Sequence, residues 1–397
     1  MTRHAQVALI LVNNSGMGGT ERRYGQVYAG LRRRGVPVSL VINESLLAGL
    51  IAAHILPPGE PAGLVLTERF GRIARRLEPG LGIGRISRAL TFALRKLDYL
   101  LWCVSVGRYL LRHRLQAMHL VLGGAYLTLP LQLVGVAPPA MVSVVCPSLR
   151  EMVGIDWAVP LYRRALRSAR IVDVLTAAIR EAVLREGVPA ERLRLSAGSC
   201  VDVTRFHPGS AKRPWVVFAG RLIEEKNPLL FVEACALVAS LLPAARFFVL
   251  GDGPLRAQVE EAVRRHGLES CTEIGWTGEV EAILSEAMVF ASLQRMDNYP
   301  SQALLEAMAC GTAVVATDVG LTRRLVDDSV GLLVKPTADA VGHAMVTLLS
   351  QPDRAAAMGS RARERVIQQH AMEAYLTYLE ELYDDLGRRP ADASHHG

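Results

Sequence analysis

The sequence predicts an α/β protein made of two doubly wound units, each a parallel sheet flanked by helices. Three observations carry that expectation. Apolar runs of strand length recur along the chain, and they are continuous rather than alternating, as strands covered on both faces are. Helical stretches separate the runs, which is the alternation of a parallel α/β sheet. The chain has 397 residues, enough for two or three domains at roughly 150 residues each.

The first run, Val7 to Val12, reads as a strand. A glycine loop follows, then a helical stretch from Glu21 to Arg34 that Gly35 stops, and a second strand from Val36 to Ile42. This is the βαβ opening of a doubly wound sheet. From Leu115 to Leu149 no side chain is charged, apart from His119 when it is protonated. A spanning helix would need about 20 unbroken apolar residues, but Gly123, Gly124, Pro130, Gly135, Pro138 and Pro139 divide the stretch. It reads as buried strands and a helix. In the second half, Trp215–Ala219, Arg246–Leu250, Met288–Ala291 and Ala313–Ala316 read as strands, with helices over Pro228–Leu241 and Pro254–His266. Turn-forming residues near His207–Ser210 mark a boundary. The stretch from Asp353 to Leu386 reads as helical, and the remainder has the composition of a frayed tail.

Composition narrows the class. Half the chain is apolar and 21% is charged, which excludes a mainly disordered chain. The net charge of +7 is local: residues 69–118 hold ten Arg and one Lys against Glu78 and Asp98, and the rest of the chain sums to −2. A general nucleic-acid-binding surface is therefore not expected. Within that stretch Arg69, Arg72, Arg75 and Arg76, and downstream Leu94, Leu97, Leu101 and Val104, repeat at helical spacing. Basic amphipathic helices of this kind are either solvated faces or contacts for anionic lipid headgroups or a charged acceptor. The six cysteines show no CxxC pair, so reduced thiols and no metal site are expected. The first six residues hold no apolar h-region of a signal peptide, which points to a cytoplasmic protein, peripheral at the inner membrane face if the basic stretch meets lipid.

Four segments carry chemistry. Gly18 and Gly19 lie in a glycine loop between the first strand and its helix, where backbone N–H groups can approach a phosphate; glycine also serves there merely to turn the chain. A dinucleotide fingerprint would need a third glycine where Glu21 stands, and no Gly-Lys-Ser/Thr is present, so a P-loop is excluded. Gly220, Arg221 and Lys226 follow a strand. Two cations at the carboxyl edge of a parallel sheet suit a diphosphate leaving group, while salt bridges to Glu224 and Glu225 are the alternative. Gly251 to Pro254 is a tight turn or a base-binding loop. Asp297 to Gly311 is a polar loop running into an apolar helix with Glu306 embedded in it, and a buried carboxylate needs partners such as sugar hydroxyls.

The ordered set Gly-Gly-Thr-Glu (18–21), Gly-Arg-Leu-x-x-x-Lys-Asn (220–227), Gly-Asp-Gly-Pro (251–254) and Asn-Tyr-Pro-Ser-x-x-Leu-Leu-Glu-Ala-Met-Ala-Cys-Gly (298–311) resembles the GT-B glycosyltransferases of family 4. The strong matches cover roughly 200–335 and the first 35 residues. The resemblance implies two Rossmann-like domains facing across a cleft: residues 1–208 on the acceptor side, 209–370 for the nucleotide sugar, and 371–397 crossing back to the first domain. It implies a retaining, metal-independent transfer from a nucleotide sugar, UDP- or GDP-linked, to a polysaccharide, lipopolysaccharide or lipid-linked acceptor. No cofactor and no nucleic acid are implied, and an anionic membrane surface could be met through residues 69–118. Arg221 and Lys226 fall on the pair that binds the donor diphosphate, and Glu306 on the glutamate that binds the ribose. Gly18 and Gly19 fall on the loop that reaches the phosphate. Gly198 to Pro208 resembles the inter-domain segment.

Two departures from the family pattern stand out. Eight residues before Glu306 the family has a second glutamate, and here Asn298 stands there, with Asp297 beside it; either Asn298 meets the sugar hydroxyls or a one-residue shift presents Asp297. No histidine follows the strand Met141–Val145, so none is assigned to catalysis. A non-catalytic nucleotide-sugar or membrane-surface binding module and a nicotinamide-dependent oxidoreductase are the competing readings.

Overall fold

A computed structural model describes residues 5–13, 18–59, 63–77, 85–133, 135–146, 148, 159–196, 200–275 and 277–388. Ser15 to Met17, Gly198, Ser199 and the tail from 389 lie outside the described residues, as do the side chains of Arg75, Arg76, Arg95 and Lys96. By its internal contacts the chain parts into two compact units, residues 1–198 with 375–397, and residues 199–374.

The first unit opens with β1 (Val7–Val12), α1 (Gly19–Arg33), β2 (Val38–Asn43), α2 (Glu44–Ala52), β3 (Leu64–Leu66), α3 (Arg69–Leu77) and α4 (Arg85–His113). It continues with β4 (Ala117–Leu122), α5 (Gly124–Leu133), β5 (Ala140–Val144), α6 (Val159–Ser168), β6 (Ile171–Val174), α7 (Ala177–Arg185) and β7 (Leu193–Leu195). The strands are parallel in the order β3-β2-β1-β4-β5-β6-β7. All six residues of β1 are buried, which is why its hydrophobicity is unbroken. Gly35, at φ +76°, ends α1. Its N–H reaches Arg32 O at 3.0 Å and that of Val36 reaches Leu31 O at 3.0 Å, the two bonds of a Schellman cap.

The second unit holds β8 (Arg213–Ala219), α8 (Pro228–Leu241), β9 (Arg246–Leu250), α9 (Arg256–Arg265), β10 (Thr272–Gly275) and α10 (Val280–Glu286). There follow β11 (Ala287–Ser292), α11 (Gln302–Ala309), β12 (Ala313–Thr317), β13 (Gly331–Val334), α12 (Ala338–Ser350) and α13 (Pro352–His370). Its parallel strands run β10-β9-β8-β11-β12-β13. Alternate residues of β8 feed opposite faces: Val216 and Phe218 join the core under α8, α9 and α12, and Val217 the core under α10, α11 and α13.

The helical stretch from 353 to 386 holds two helices, α13 and α14 (Met372–Gly387), separated at Ala371. Ala371 is extended and pairs with Val201 in a parallel bridge, with Val201 N–H donating to His370 O at 2.8 Å and Met372 N–H to Val201 O at 2.9 Å. Helix-period patterning runs through this break because a single extended residue hardly disturbs it.

Residues 375–387 of α14 join the first unit through a buried polar chain. His119, Ser143 and Asp173, on the neighbouring strands β4, β5 and β6, are fully buried. The Ser143 hydroxyl donates to Asp173 Oδ2 at 3.0 Å, so it accepts from His119 Nε2 at 2.8 Å, and His119 Nδ1 then accepts from Tyr383 at 2.7 Å. Tyr378 donates to Asp173 Oδ1 at 2.8 Å and Tyr375 to Oδ2 at 3.4 Å. Burial, with the nearby Arg23 charge, pulls the His119 imidazolium down to about 3, so the ring is neutral and structural. Burial also pushes the Asp173 carboxyl above its usual value against the pull of these donors. Asp173→Ala strands several donors at once, each unmade buried bond costing about 1–3 kcal/mol, and should lower the melting temperature more than Tyr378→Phe, which removes one. Equal or reversed shifts in thermal denaturation would remove Asp173 from the hub of this chain.

Candidate active site

In an open parallel sheet, ligands sit beyond the carboxyl ends of the strands where the order reverses. In the second unit that point lies between β8 and β11. The loop leaving β8 carries Gly220, Arg221 and Lys226, and the loop leaving β11 carries Asn298. The two loops are joined by Arg295, whose N–H donates to Glu225 O at 2.9 Å and whose guanidinium meets the Glu224 carboxylate at 3.4 Å.

The loop leaving β9 is laced to the loop leaving β8. Gly220 N–H donates to Leu250 O at 2.9 Å, Leu222 N–H to Asp252 O at 2.9 Å, and Leu255 N–H to Leu222 O at 3.0 Å. This approach needs glycine: a methyl on Gly251 would overlap the Gly220 carbonyl oxygen, and one on Gly253 would lie 2.6 Å from Leu222 O. The Cβ direction of Gly220, by contrast, opens on empty space.

Arg221 is exposed and Lys226 half-buried, and neither has a carboxylate within 4 Å among the described residues. Glu224, the expected alternative partner, is held by Arg295 instead. Burial pulls the Lys226 ammonium down to about 8; Glu225 opposes that shift and Arg221 adds to it. Lys226 closes a short 3₁₀ turn (Glu224–Lys226), and Asn227, left-handed at φ +57°, turns the chain into α8 with Pro228 as its first residue.

Asp297 and Asn298 differ in what they are free to do. One Asp297 oxygen accepts from Tyr299 N–H at 3.2 Å and Leu321 N–H at 3.1 Å, so this carboxylate ties two loops together. Asn298 is exposed and makes no hydrogen bond among the described residues. Glu306 is buried on α11, where Gln302 bridges its Oε1 at 3.3 Å to Cys200 O at 3.1 Å.

Gly18 and Gly19 belong to the first unit, where they open α1 beyond the end of β1. Glu21, standing where a dinucleotide fingerprint needs glycine, accepts from Gly18 N–H at 2.8 Å and from the Asn13 amide. It caps its own helix, as an acidic residue in a first turn does.

Residues 202–365 match the family described as glycosyl transferases group 1. That stretch, the larger part of the second unit, resembles the glycosyl transferases of group 1. The fold agrees: over 96% of this chain and all of the Anabaena HepE protein, crystallised with UDP and glucose, the structures superpose with a TM-score of 0.70 at 15% identity. Two parallel α/β sheets of this order make the architecture GT-B. Among curated proteins, the putative colanic acid glycosyltransferase WcaL of Escherichia coli is 31% identical over 236 residues, which cover 55% of this chain and 57% of WcaL. The GDP-mannose-dependent phosphatidylinositol dimannoside mannosyltransferase of Mycobacterium tuberculosis is 29% identical over 178 residues, covering 42% of this chain and 46% of that protein. The chain thus spans about half the length of these relatives.

Residues that sequence reasoning misses here are the positioning ones. Arg295 escapes it, because a lone arginine in a polar loop carries no pattern. Lys212 is another: its ammonium donates to Cys310 O at 2.8 Å and Thr312 Oγ1 at 3.2 Å, and burial pulls it down to about 8. Asn227-Pro228 is the one legible case, since Asn tolerates the left-handed region and Pro starts helices.

The Lys226 value gives a pH test. The ammonium is charged below about pH 8 and neutral above it, so affinity for an added pyrophosphate anion, measured calorimetrically, should fall as the pH rises through that value. Lys226→Arg should keep the affinity to higher pH because a guanidinium stays protonated. A flat wild-type profile from about pH 7 to about pH 10 would mean that Lys226 does not face the bound anion.

Proposed function

We propose that this chain is a retaining glycosyltransferase that moves a hexosyl group from a UDP- or GDP-linked sugar to a glycan or lipid-linked acceptor without a metal ion. The observation that carries this reading is the pair Arg221 and Lys226, two cations without an ion-pair partner among the described residues where the sheet order reverses. A glycosyl transfer from a nucleotide sugar leaves a diphosphate, and fixed cations aimed at the developing charge are the largest single aid to such a step. The relatives support the acceptor class, being a putative colanic acid glycosyltransferase and a phosphatidylinositol dimannoside mannosyltransferase.

The chemistry assigns each residue one task. Arg221 and Lys226 bind the diphosphate and take up charge as the sugar–oxygen bond breaks. Gly220, with no side chain, lets backbone approach the phosphate, and Gly251 and Gly253 hold that loop in place. Glu306 accepts from the ribose hydroxyls, and Asn298 meets the sugar hydroxyls through its amide. Gly18 and Gly19, at the start of α1 in the first unit, offer backbone N–H groups of the kind that suit a phosphate. The acceptor hydroxyl attacks on the face the diphosphate leaves, and the departing phosphate oxygen takes the acceptor proton. Catalysis is then positioning and charge stabilisation.

Lys226→Ala should lower sugar transfer at least ~10²-fold with an unchanged melting temperature; near-normal turnover would sink the diphosphate role. A thermal-shift panel of UDP, GDP and ADP sugars identifies the base. Asn298→Ala should lower transfer while leaving UDP affinity intact, whereas Asp297→Ala should act on the melting temperature. If Asp297→Ala alone abolished transfer in a stably folded protein, the sugar contact would belong to Asp297.

A further inference from the structure

We infer that the outward face of α4 is a docking surface for an anionic lipid bilayer. The inner face of this 29-residue helix is ordinary core, with Trp102, Val106 and Leu110 buried. The outer face is not: Leu97 is 43% exposed, Leu100 65%, Leu101 44%, Val104 52% and Leu111 57%. At 3.6 residues per turn these side chains fall within about a third of the circumference, along about 21 Å of helix. Scattered exposed leucines mean nothing, but an apolar line on one helix, unbroken from Leu97 to Val104 and resumed at Leu111 beyond Arg108, marks an interaction site.

Charge selects the partner. Arg108 and Arg112 lie on or beside the line, are exposed, and have no ion-pair partner among the described residues. The one acidic residue of α4, Asp98, is buried and turned inward, accepting from Phe70 N–H at 3.1 Å and Gly71 N–H at 2.7 Å to cap the start of α3. No carboxylate of α4 therefore answers these arginines, and residues 69–118 carry +9 in the sequence. A second copy docking through the same face would set arginine against arginine. A dissolved polyanion would leave the leucines in water. A bilayer with anionic headgroups satisfies both, taking the leucines at the acyl boundary and the arginines at the phosphates. No helix among the described residues is long and apolar enough to cross a membrane, so α4 would lie on the surface rather than span it. The inference does not depend on the proposed transfer reaction.

The test is co-sedimentation of the full chain with phosphatidylglycerol–phosphatidylcholine vesicles and with phosphatidylcholine vesicles alone, at low and high salt. Wild type should bind the anionic vesicles, less at high salt, and bind the neutral ones weakly. Leu100→Glu with Val104→Glu should reduce binding at least ~10-fold, and Arg108→Ala roughly fivefold, with melting temperature and UDP thermal shift unchanged. Should the double variant not fold, Leu100→Gln serves in its place with a smaller loss. Wild-type binding by a folded variant, equal binding to neutral vesicles, or no binding at either salt would overturn the proposal. So would a wild-type dimer in light scattering that Leu100→Glu dissolves, which would give the face to a second copy. Loss of vesicle binding with unchanged turnover of a water-soluble acceptor separates this inference from the proposed function.

Discussion

The candidate site rests on a close backbone contact, the approach of the loop after β9 to the loop after β8. Gly251 and Gly253 bring one chain so near the other that any side chain on Gly251 would overlap the Gly220 carbonyl. Three backbone hydrogen bonds then fix both loops at the carboxyl edge of the sheet. From that contact follow the direction in which Arg221 leaves the sheet, the short turn that ends in Lys226, and the left-handed Asn227 that starts α8. Backbone bonds are a firm basis for two long cationic side chains, whose own rotamer freedom is large.

Electrostatics at the site is set by what is occupied elsewhere. Glu224 is taken by Arg295 and Asp297 by backbone donors, so neither pairs with Arg221 or Lys226, and Glu225 supports the Lys226 charge only through space. Burial lowers the Lys226 ammonium because a charge out of water is held weakly until a counter-charge arrives. An anion entering the site would restore it. The first unit sets a carboxyl group in its core instead, with Ser143 of the sheet and Tyr375 and Tyr378 of α14 as donors around Asp173.

Strands are the most legible elements. Val7–Val12 and Arg246–Leu250 have in the structure the limits their apolar runs suggest, since a strand buried on both faces writes its length directly in hydrophobic residues. Helix α8 is legible because Pro228 marks its start. The break at Ala371 leaves no mark in the helix-period pattern, because what makes it is a bridge to Val201, 170 positions earlier; only the family resemblance places a boundary there. Distance in sequence also hides the tasks of Asp297 and Arg295. Adjacent residues Asp297 and Asn298 look interchangeable until the N–H of Leu321 claims one of them.

The sequence by itself determined the α/β class and the two parallel sheets, because periodicity and turn chemistry are local properties, and its ordered loops carry the resemblance to the group 1 glycosyl transferases. It also located the positive charge in residues 69–118. Tertiary structure alone decided which ionisable groups remain free. Glu224 turned to Arg295, Asp98 turned inward beneath α3, and His119 became a neutral link in the core. It also decided that the leucines of α4 face outward while Trp102 and Val106 face in. Burial and partnership are set by chain segments far apart in sequence, and no local pattern records them.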